Sequence, residues 1–262
     1  IWGREEDYYR VNVIGTRNVI EACRSAGVAR LVYTSSPSVV FDGRDMAGVD
    51  ESVPYAAHFL TPYPKTKAIA EQKVLAANGP DLATVALRPH LIWGPGDTNL
   101  VPRIIARANR LRRIGGANKP VDSVYIDNAA DAHLLAAEEL GNDSPLAGRA
   151  YFISNGEPRP VWDLVSAILS TAGFPPVERS VPAWFARAAA AFFETTYTLL
   201  RIRREPPMTR FLAHELTTAH WFDISAAKRD FGYEPQVTIE EGLRRLSEWM
   251  KREGPGSNPR TR

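Results

Sequence analysis

Two short segments constrain the architecture more than anything else in the chain. Arg30-Leu-Val-Tyr-Thr34 and Ala83-Thr-Val-Ala-Leu87 are apolar at nearly every position instead of at alternate ones. A strand that is apolar on both faces has to be covered on both faces, the condition met in parallel sheets whose crossovers are helices. The flanking sequence supplies those helices. Residues 5 to about 26 carry Tyr9, Val13, Ile20 and Cys23 at helical spacing and stop at Gly27. Thr61-Pro62 offers an N-cap and a first helical residue for a second helix running to about Ala77. Helix, strand, helix, strand with short connections predicts an α/β chain with a Rossmann-like, doubly wound parallel sheet.

Further along, Val121 to Ile126 reads as a strand, with Asp127 capping a helix from Asn128 to Leu140. Ala150 to Ile153 reads as a late strand and Pro160 to Ala172 as a late helix. Thr238-Ile-Glu-Glu241 has the form of a capping box ahead of Leu243, Leu246 and Trp249. The polar stretch with Pro37, Gly43 and Pro54 reads as a loop, and Gly254 to Arg262 as a frayed tail. The most apolar stretch, Ala183 to Leu200, contains Arg187 and Glu194 and is no membrane span; a core helix, an interfacial helix and a lid over an apolar substrate all suit it. We expect residues 1–98 to form a nucleotide-binding part and 99–262 a mainly substrate-binding part, with about 121–155 returning to the sheet.

Composition narrows the function. With 262 residues and 44% hydrophobic content, the chain can bury a full core. Its net charge is +2, and the Arg-rich runs Leu111-Arg-Arg113 and Arg201-Ile-Arg-Arg204 lack interleaved aromatics, so no nucleic-acid partner is expected. Cys23 is the sole cysteine, which excludes an internal disulfide; at an apolar helical position it reads as a buried thiol, in keeping with the cytoplasm. The opening Ile1-Trp-Gly-Arg-Glu-Glu-Asp7 is charged and does not read as a signal peptide. No residue set reads as a metal site.

The chemistry lies in Thr34-Ser35-Ser36, at the end of the first apolar run, and in Tyr63-Pro-Lys-Thr-Lys67. Residues four apart on a helix share a face, so Tyr63 and Lys67 stand together. An ammonium beside a phenol favours its ionised form, and Lys67 is expected to draw the Tyr63 pKa down from about 10, making it a general acid/base. Ser36 would orient the reacting oxygen, with Ser35 and Thr34 as alternatives. A surface Tyr–Lys pair at this spacing is common, and its weight comes from the strand end that precedes it. No glycine-rich turn of the G-x-G-x-x-G kind occurs in the sequence: Gly94-Pro-Gly96 follows the wrong strand, and Gly115-Gly116 has no helix after it. Because the chain starts in a helix already under way, we expect that the first βαβ units of the sheet precede Ile1.

These motifs resemble the extended short-chain dehydrogenase/reductases, in the 3β-hydroxysteroid dehydrogenase branch. The matching pieces are Asn12-Val-Ile-Gly-Thr-Arg-Asn-Val-Ile-Glu-Ala-Cys23, Val32-Tyr-Thr-Ser-Ser36, Tyr63-Pro-Lys-Thr-Lys67, Leu87-Arg-Pro89 with Trp93-Gly-Pro-Gly-Asp97, and Val124-Tyr-Ile-Asp-Asn-Ala-Ala-Asp131. Tyr151-Phe-Ile-Ser-Asn-Gly-Glu-Pro158, Glu205-Pro-Pro-Met-Thr-Arg-Phe211 and Phe231-Gly-Tyr-Glu-Pro235 look most like the bacterial members that reduce 2-alkyl-3-oxoalkanoates in olefin biosynthesis.

The resemblance implies an NAD(P)-dependent oxidoreductase using NADPH, with NAD as the alternative. Carried over position by position, it makes Tyr63 the general acid/base and Lys67 the residue that tunes it and holds the nicotinamide ribose. Ser36 becomes the carbonyl-orienting hydroxyl and Asn12 the helix asparagine near the active site. Thr34, Pro89 and Ile92 fall beside the cofactor. For the lipid-like substrate and its carboxylate, His90, Arg103, Tyr125 and Arg210 are the candidates. The resemblance also implies a homodimer through the helices at 5–26 and 61–77, with other olefin-pathway enzymes as partners. Rival readings keep the fold: an NAD-dependent sterol or 3β-hydroxysteroid dehydrogenase, a sugar-nucleotide epimerase, or a non-catalytic cofactor sensor or scaffold.

Overall fold

In the computed structural model, which describes residues 2–116, 118–202 and 204–254, the two apolar runs lie side by side. Strands Arg30–Thr34, Ala83–Pro89 and Arg149–Ile153 form a parallel sheet with Ala83–Pro89 in the middle. The register runs from Arg30 opposite Ala83 to Thr34 opposite Leu87, and from Val85 opposite Arg149 to Pro89 opposite Ile153. Every residue of the central strand is buried, which explains its unbroken apolar sequence. All three carboxyl ends reach one edge of the sheet, where open α/β sheets bind their ligands.

Helices cover this sheet. Glu5–Tyr8 continues through a π-helical stretch, Tyr9–Ile14, into Gly15–Ser25, and Pro62–Ala76 packs beside it. Asn12 in the π-helical stretch donates through Nδ2 to Thr66 Oγ1 at 2.9 Å. Gly27 ends the first helix with φ +67°, a conformation glycine adopts without strain. The second helix is pinned to the central strand from beneath: Arg88 donates to Glu71 at 2.6 Å with both side chains almost wholly buried, and the Tyr55 hydroxyl donates to the same carboxylate at 2.7 Å. Thr84 Oγ1 adds a bond to the Val74 carbonyl at 2.8 Å.

A second core gathers Trp93, Tyr125, Trp162, Leu246 and Met250 among helices Leu100–Ala106, Val161–Thr171 and Ile239–Glu253. Buried amides stitch it to the sheet. Asn155 Oδ1 accepts from the Tyr125 N–H at 3.0 Å and from Asn128 Nδ2 at 2.9 Å, while Asn155 Nδ2 donates to the Val237 carbonyl at 2.8 Å. Half of the capping box forms: the Glu241 N–H donates to Thr238 Oγ1 at 3.2 Å, while the Glu241 carboxylate is taken by Arg244 and Arg245.

Several expectations change. The Val121–Ile126 strand is two strands, Pro120–Val121 and Val124–Tyr125, which pair with different neighbours. Asp122 and Ser123 break it because their buried side chains are needed elsewhere: Asp122 accepts from Ser154 Oγ and the Phe222 N–H, and Ser123 Oγ accepts from Trp93 Nε1. The following helix, Ile126–Glu139, starts from Tyr125, so Asp127 sits in the first turn and is not the cap. The supposed loop after Pro37 contains the strand Met46–Val49, parallel to His220–Phe222. Gly48 hides that strand, having φ +66° with the Trp221 ring 2.7 Å from where a Cβ would stand. Cys23 is only half-buried, beside Ile20 and Val74.

Helix Ala183–Leu199 buries Ala186 and Ala190 while leaving Trp184, Phe192 and Leu199 at 71%, 66% and 76% exposure. Among the described residues no helix is long and apolar enough to cross a membrane. Nearly all of the expected tail lies outside the described residues.

Replacing Glu71 with Ala leaves the Arg88 guanidinium buried without its counter-charge. This is expected to cost about 3–5 kcal/mol, read as a lower urea midpoint with an unchanged slope. An unchanged midpoint would strike this ion pair from the supports of the fold.

Candidate active site

A cavity of about 170 Å³ opens at the carboxyl ends of the sheet, and Ser36, Tyr63, Pro89, His90, Glu215 and His220 are among its walls. Strand and helix boundaries put them there. Ser36 follows strand Arg30–Thr34 as the N-cap of a single 3₁₀ turn, and its Oγ lies 2.9 Å from Ser38 Oγ. Tyr63 stands in the first turn of Pro62–Ala76, started by Pro62. The ring of Tyr8 meets its ring edge-on at 6.3 Å between centroids.

Of the three hydroxyls at the strand end, Ser36 is the one that lines the cavity. Thr34 Oγ1 pairs with His133 Nε2 at 2.8 Å, and Ser35 Oγ is buried without a partner. Tyr63 and Lys67 share a helix face as expected, but the electrostatics differ from the expectation. Burial pushes the Tyr63 phenol above its ordinary value of 10.0; a hydrogen bond with Ser36 opposes this and the charge of Glu215 reinforces it. Lys67 is turned to the strand end, where Nζ donates to the Thr34 carbonyl at 2.5 Å and lies 4.2 Å from the centre of the Tyr33 ring. Burial lowers Lys67 itself to about 8, against the pull of Glu71. Desolvation thus dominates at Tyr63, and the phenol holds its proton.

His90 and His220 form a buried pair whose tautomers can be worked out. Burial lowers both, so both are neutral at pH 7. His220 Nε2 lies 2.7 Å from the Glu215 carbonyl and must donate to it, which leaves His220 Nδ1 as an acceptor. His90 Nε2, 3.2 Å from that Nδ1, must therefore carry the His90 proton. His90 Nδ1 is left bare and without a hydrogen bond; it can accept but has no proton to donate.

The remaining candidates lie elsewhere. Asn12 ties the two helices together through Thr66 and does not line the cavity. Pro89 does line it, whereas Ile92 pairs with Val124 and packs into the first core. Arg103 is bound to Glu205 at 2.5 Å and Arg210 to Glu194 at 3.3 Å. Tyr125 is buried against Trp93, ring centroids 5.5 Å apart. None of these three lines the cavity, and neither does any residue of Ala183–Leu199. Glu215 and His220 were not foreseen. Glu215 ends the six-residue helix Arg210–Glu215 and His220 opens a three-residue strand, elements too short to leave a periodic signal.

The residues at this edge fit the nicotinamide end of a dinucleotide. Lys67 keeps N–H donors beyond the one given to Thr34, and Ser35 Oγ, next in the chain to Thr34, is an orphaned buried hydroxyl. For the pyrophosphate end, no strand among the described residues runs through a glycine-rich turn into a helix N-terminus.

Comparison with known proteins agrees with the fold and the motifs. Residues 2–182 match the 3-beta hydroxysteroid dehydrogenase/isomerase family. A 2-alkyl-3-oxoalkanoate reductase from Stenotrophomonas maltophilia is 55% identical over 250 residues, covering 94% of this chain and 76% of the relative. One from Shewanella oneidensis is 51% identical, covering 94% of this chain and 66% of the relative. The solved structure of a UDP-glucuronic acid 4-epimerase from Bacillus cereus in complex with NAD superposes with a TM-score of 0.70 at 20% identity, over 97% of this chain and 72% of that one. At that identity the likeness concerns the fold.

An ultraviolet pH titration of the cofactor-free protein, compared with Tyr63→Phe, tests the phenol directly. The absorbance lost in the variant is expected to belong to a group that ionises above pH 10.0. A Tyr63-dependent phenolate near neutrality would show that Lys67 sets this group after all.

Proposed function

The chain belongs to the 3-beta hydroxysteroid dehydrogenase/isomerase family and is an NAD(P)-dependent oxidoreductase, and on that footing we propose that it reduces long-chain 2-alkyl-3-oxoalkanoates to 2-alkyl-3-hydroxyalkanoates with NADPH. The two relatives named 2-alkyl-3-oxoalkanoate reductase support the choice of substrate. The observation that carries the reading is the placement of Tyr63 beside Ser36 in the cavity at the strand ends.

When bound, the nicotinamide supplies the hydride. Everything else falls to side chains. Ser36 positions the substrate carbonyl oxygen by a hydrogen bond, and its bond to Ser38 fixes the hydroxyl in place. Tyr63 gives its proton to that oxygen as negative charge develops there. A phenol kept neutral by burial always has that proton to give at pH 7. Lys67, anchored on the Thr34 carbonyl, presents its remaining N–H donors to the ribose. The apolar walls of Phe41, Phe211 and Phe222 keep water from the reacting carbon.

Oxidation of a synthetic 2-alkyl-3-hydroxy acid by NADP tests the reaction without handling 3-oxo acids, which lose carbon dioxide. Tyr63→Phe is expected to lower kcat by roughly 10²–10⁴-fold, with an unchanged melting temperature. Turnover that survives in Tyr63→Phe would remove the phenol from the chemistry, and turnover confined to a sterol 3-alcohol with NAD would replace the substrate.

A further inference from the structure

The cavity presents a problem for an acidic substrate: no lysine or arginine lines it. A carboxylate leaving water for such a place needs a hydrogen-bond donor. Its polar walls can be taken in turn. Ser36, Ser38 and Tyr63 are linked hydroxyl to hydroxyl, and the proton that these two bonds leave over is committed to the substrate's carbonyl oxygen. His220 donates its one proton to the Glu215 carbonyl, and His90 has none on its free nitrogen. Glu215 is left. Its carboxyl makes no hydrogen bond or ion pair among the described residues, yet it lines the cavity and is close enough for its charge to act on Tyr63.

We propose that Glu215, as the neutral acid, donates a hydrogen bond to the substrate carboxylate and thereby selects 3-oxo acids over plain ketones. The assignment rests on the acid substrate proposed above. An ionised Glu215 would repel that substrate, whereas a carboxylic acid facing a carboxylate forms a short, charge-assisted bond in which one proton is shared. Burial pushes this carboxyl up to about 8, with Arg103 pulling against it, so the acid form prevails at neutral pH. The groups that face it are Tyr63 from helix Pro62–Ala76, His90 just after strand Ala83–Pro89, His220 from strand His220–Phe222, and Arg103 from helix Leu100–Ala106. Arg103 is already held by Glu205.

The test is calorimetric binding of a 2-alkyl-3-hydroxy acid and of its methyl ester between pH 6 and 9.5. NADPH is present throughout and leaves both ligands unreacted. The acid is expected to bind with a constant Kd below about pH 8 and then roughly tenfold more weakly per pH unit, with uptake of one proton. The ester should show no such slope. Lys67 also titrates near 8, so two variants separate the groups: Glu215→Gln should abolish the slope and Lys67→Arg should keep it. If one variant fails to melt cooperatively, the other still decides. A slope that survives Glu215→Gln, that disappears in Lys67→Arg, or that the ester shares, overturns the assignment. Binding of neither ligand would overturn the proposed reaction and the role of Glu215 with it.

Discussion

The buried ion pair between Arg88 and Glu71 is the interaction on which the site's geometry depends. It lies beneath the helix that carries Tyr63 and joins it to the central strand, whose neighbour ends at Thr34, two residues before Ser36. Tyr55 saturates the carboxylate from the third side, and the guanidinium lies over Phe152 at 5.2 Å. A charged pair out of water contributes little net stability over an apolar equivalent, but it tolerates one geometry only. What it secures here is the azimuth and height of the Pro62–Ala76 helix, and so the separation of the phenol from the strand-end hydroxyl.

Desolvation sets the chemistry above that foundation. Burial is the largest influence on the cavity's Tyr63, His90, His220 and Glu215, and in each it favours the uncharged form. The result is a cavity whose ionisable walls are neutral at pH 7. Such a site offers protons and lone pairs and little net charge, which suits a reaction in which charge appears on one oxygen and is met by one proton.

The sheet was legible because its strands are buried on both faces, so Arg30–Thr34 and Ala83–Leu87 could be placed without reference to any partner. The cap was legible where the capping residue serves its own helix, as at Thr238, whereas Thr61 starts the Pro62–Ala76 helix with its hydroxyl buried and unbonded. Legibility failed where a side chain serves a distant element. Asp122 breaks its strand to hold Ser154 and Phe222, and Gly48 gives up strand character to admit Trp221; neither partner is visible from the local pattern.

The same distinction divides the site. Ser36, Tyr63 and Lys67 could be grouped in advance because strand end and helix turn are local facts. The direction in which Tyr63 is shifted could not, since spacing reports that Lys67 is near but not that its ammonium is taken up by the Thr34 carbonyl and the Tyr33 face. The arginines proposed for the substrate failed on the same ground: Arg103 and Arg210 have carboxylate partners 102 and 16 positions away in the chain. A positive residue near a motif is a candidate anion site only while its charge is free. In this fold those charges are already matched, and recognition of an anion passes to a group that reads, in sequence, as an anion itself.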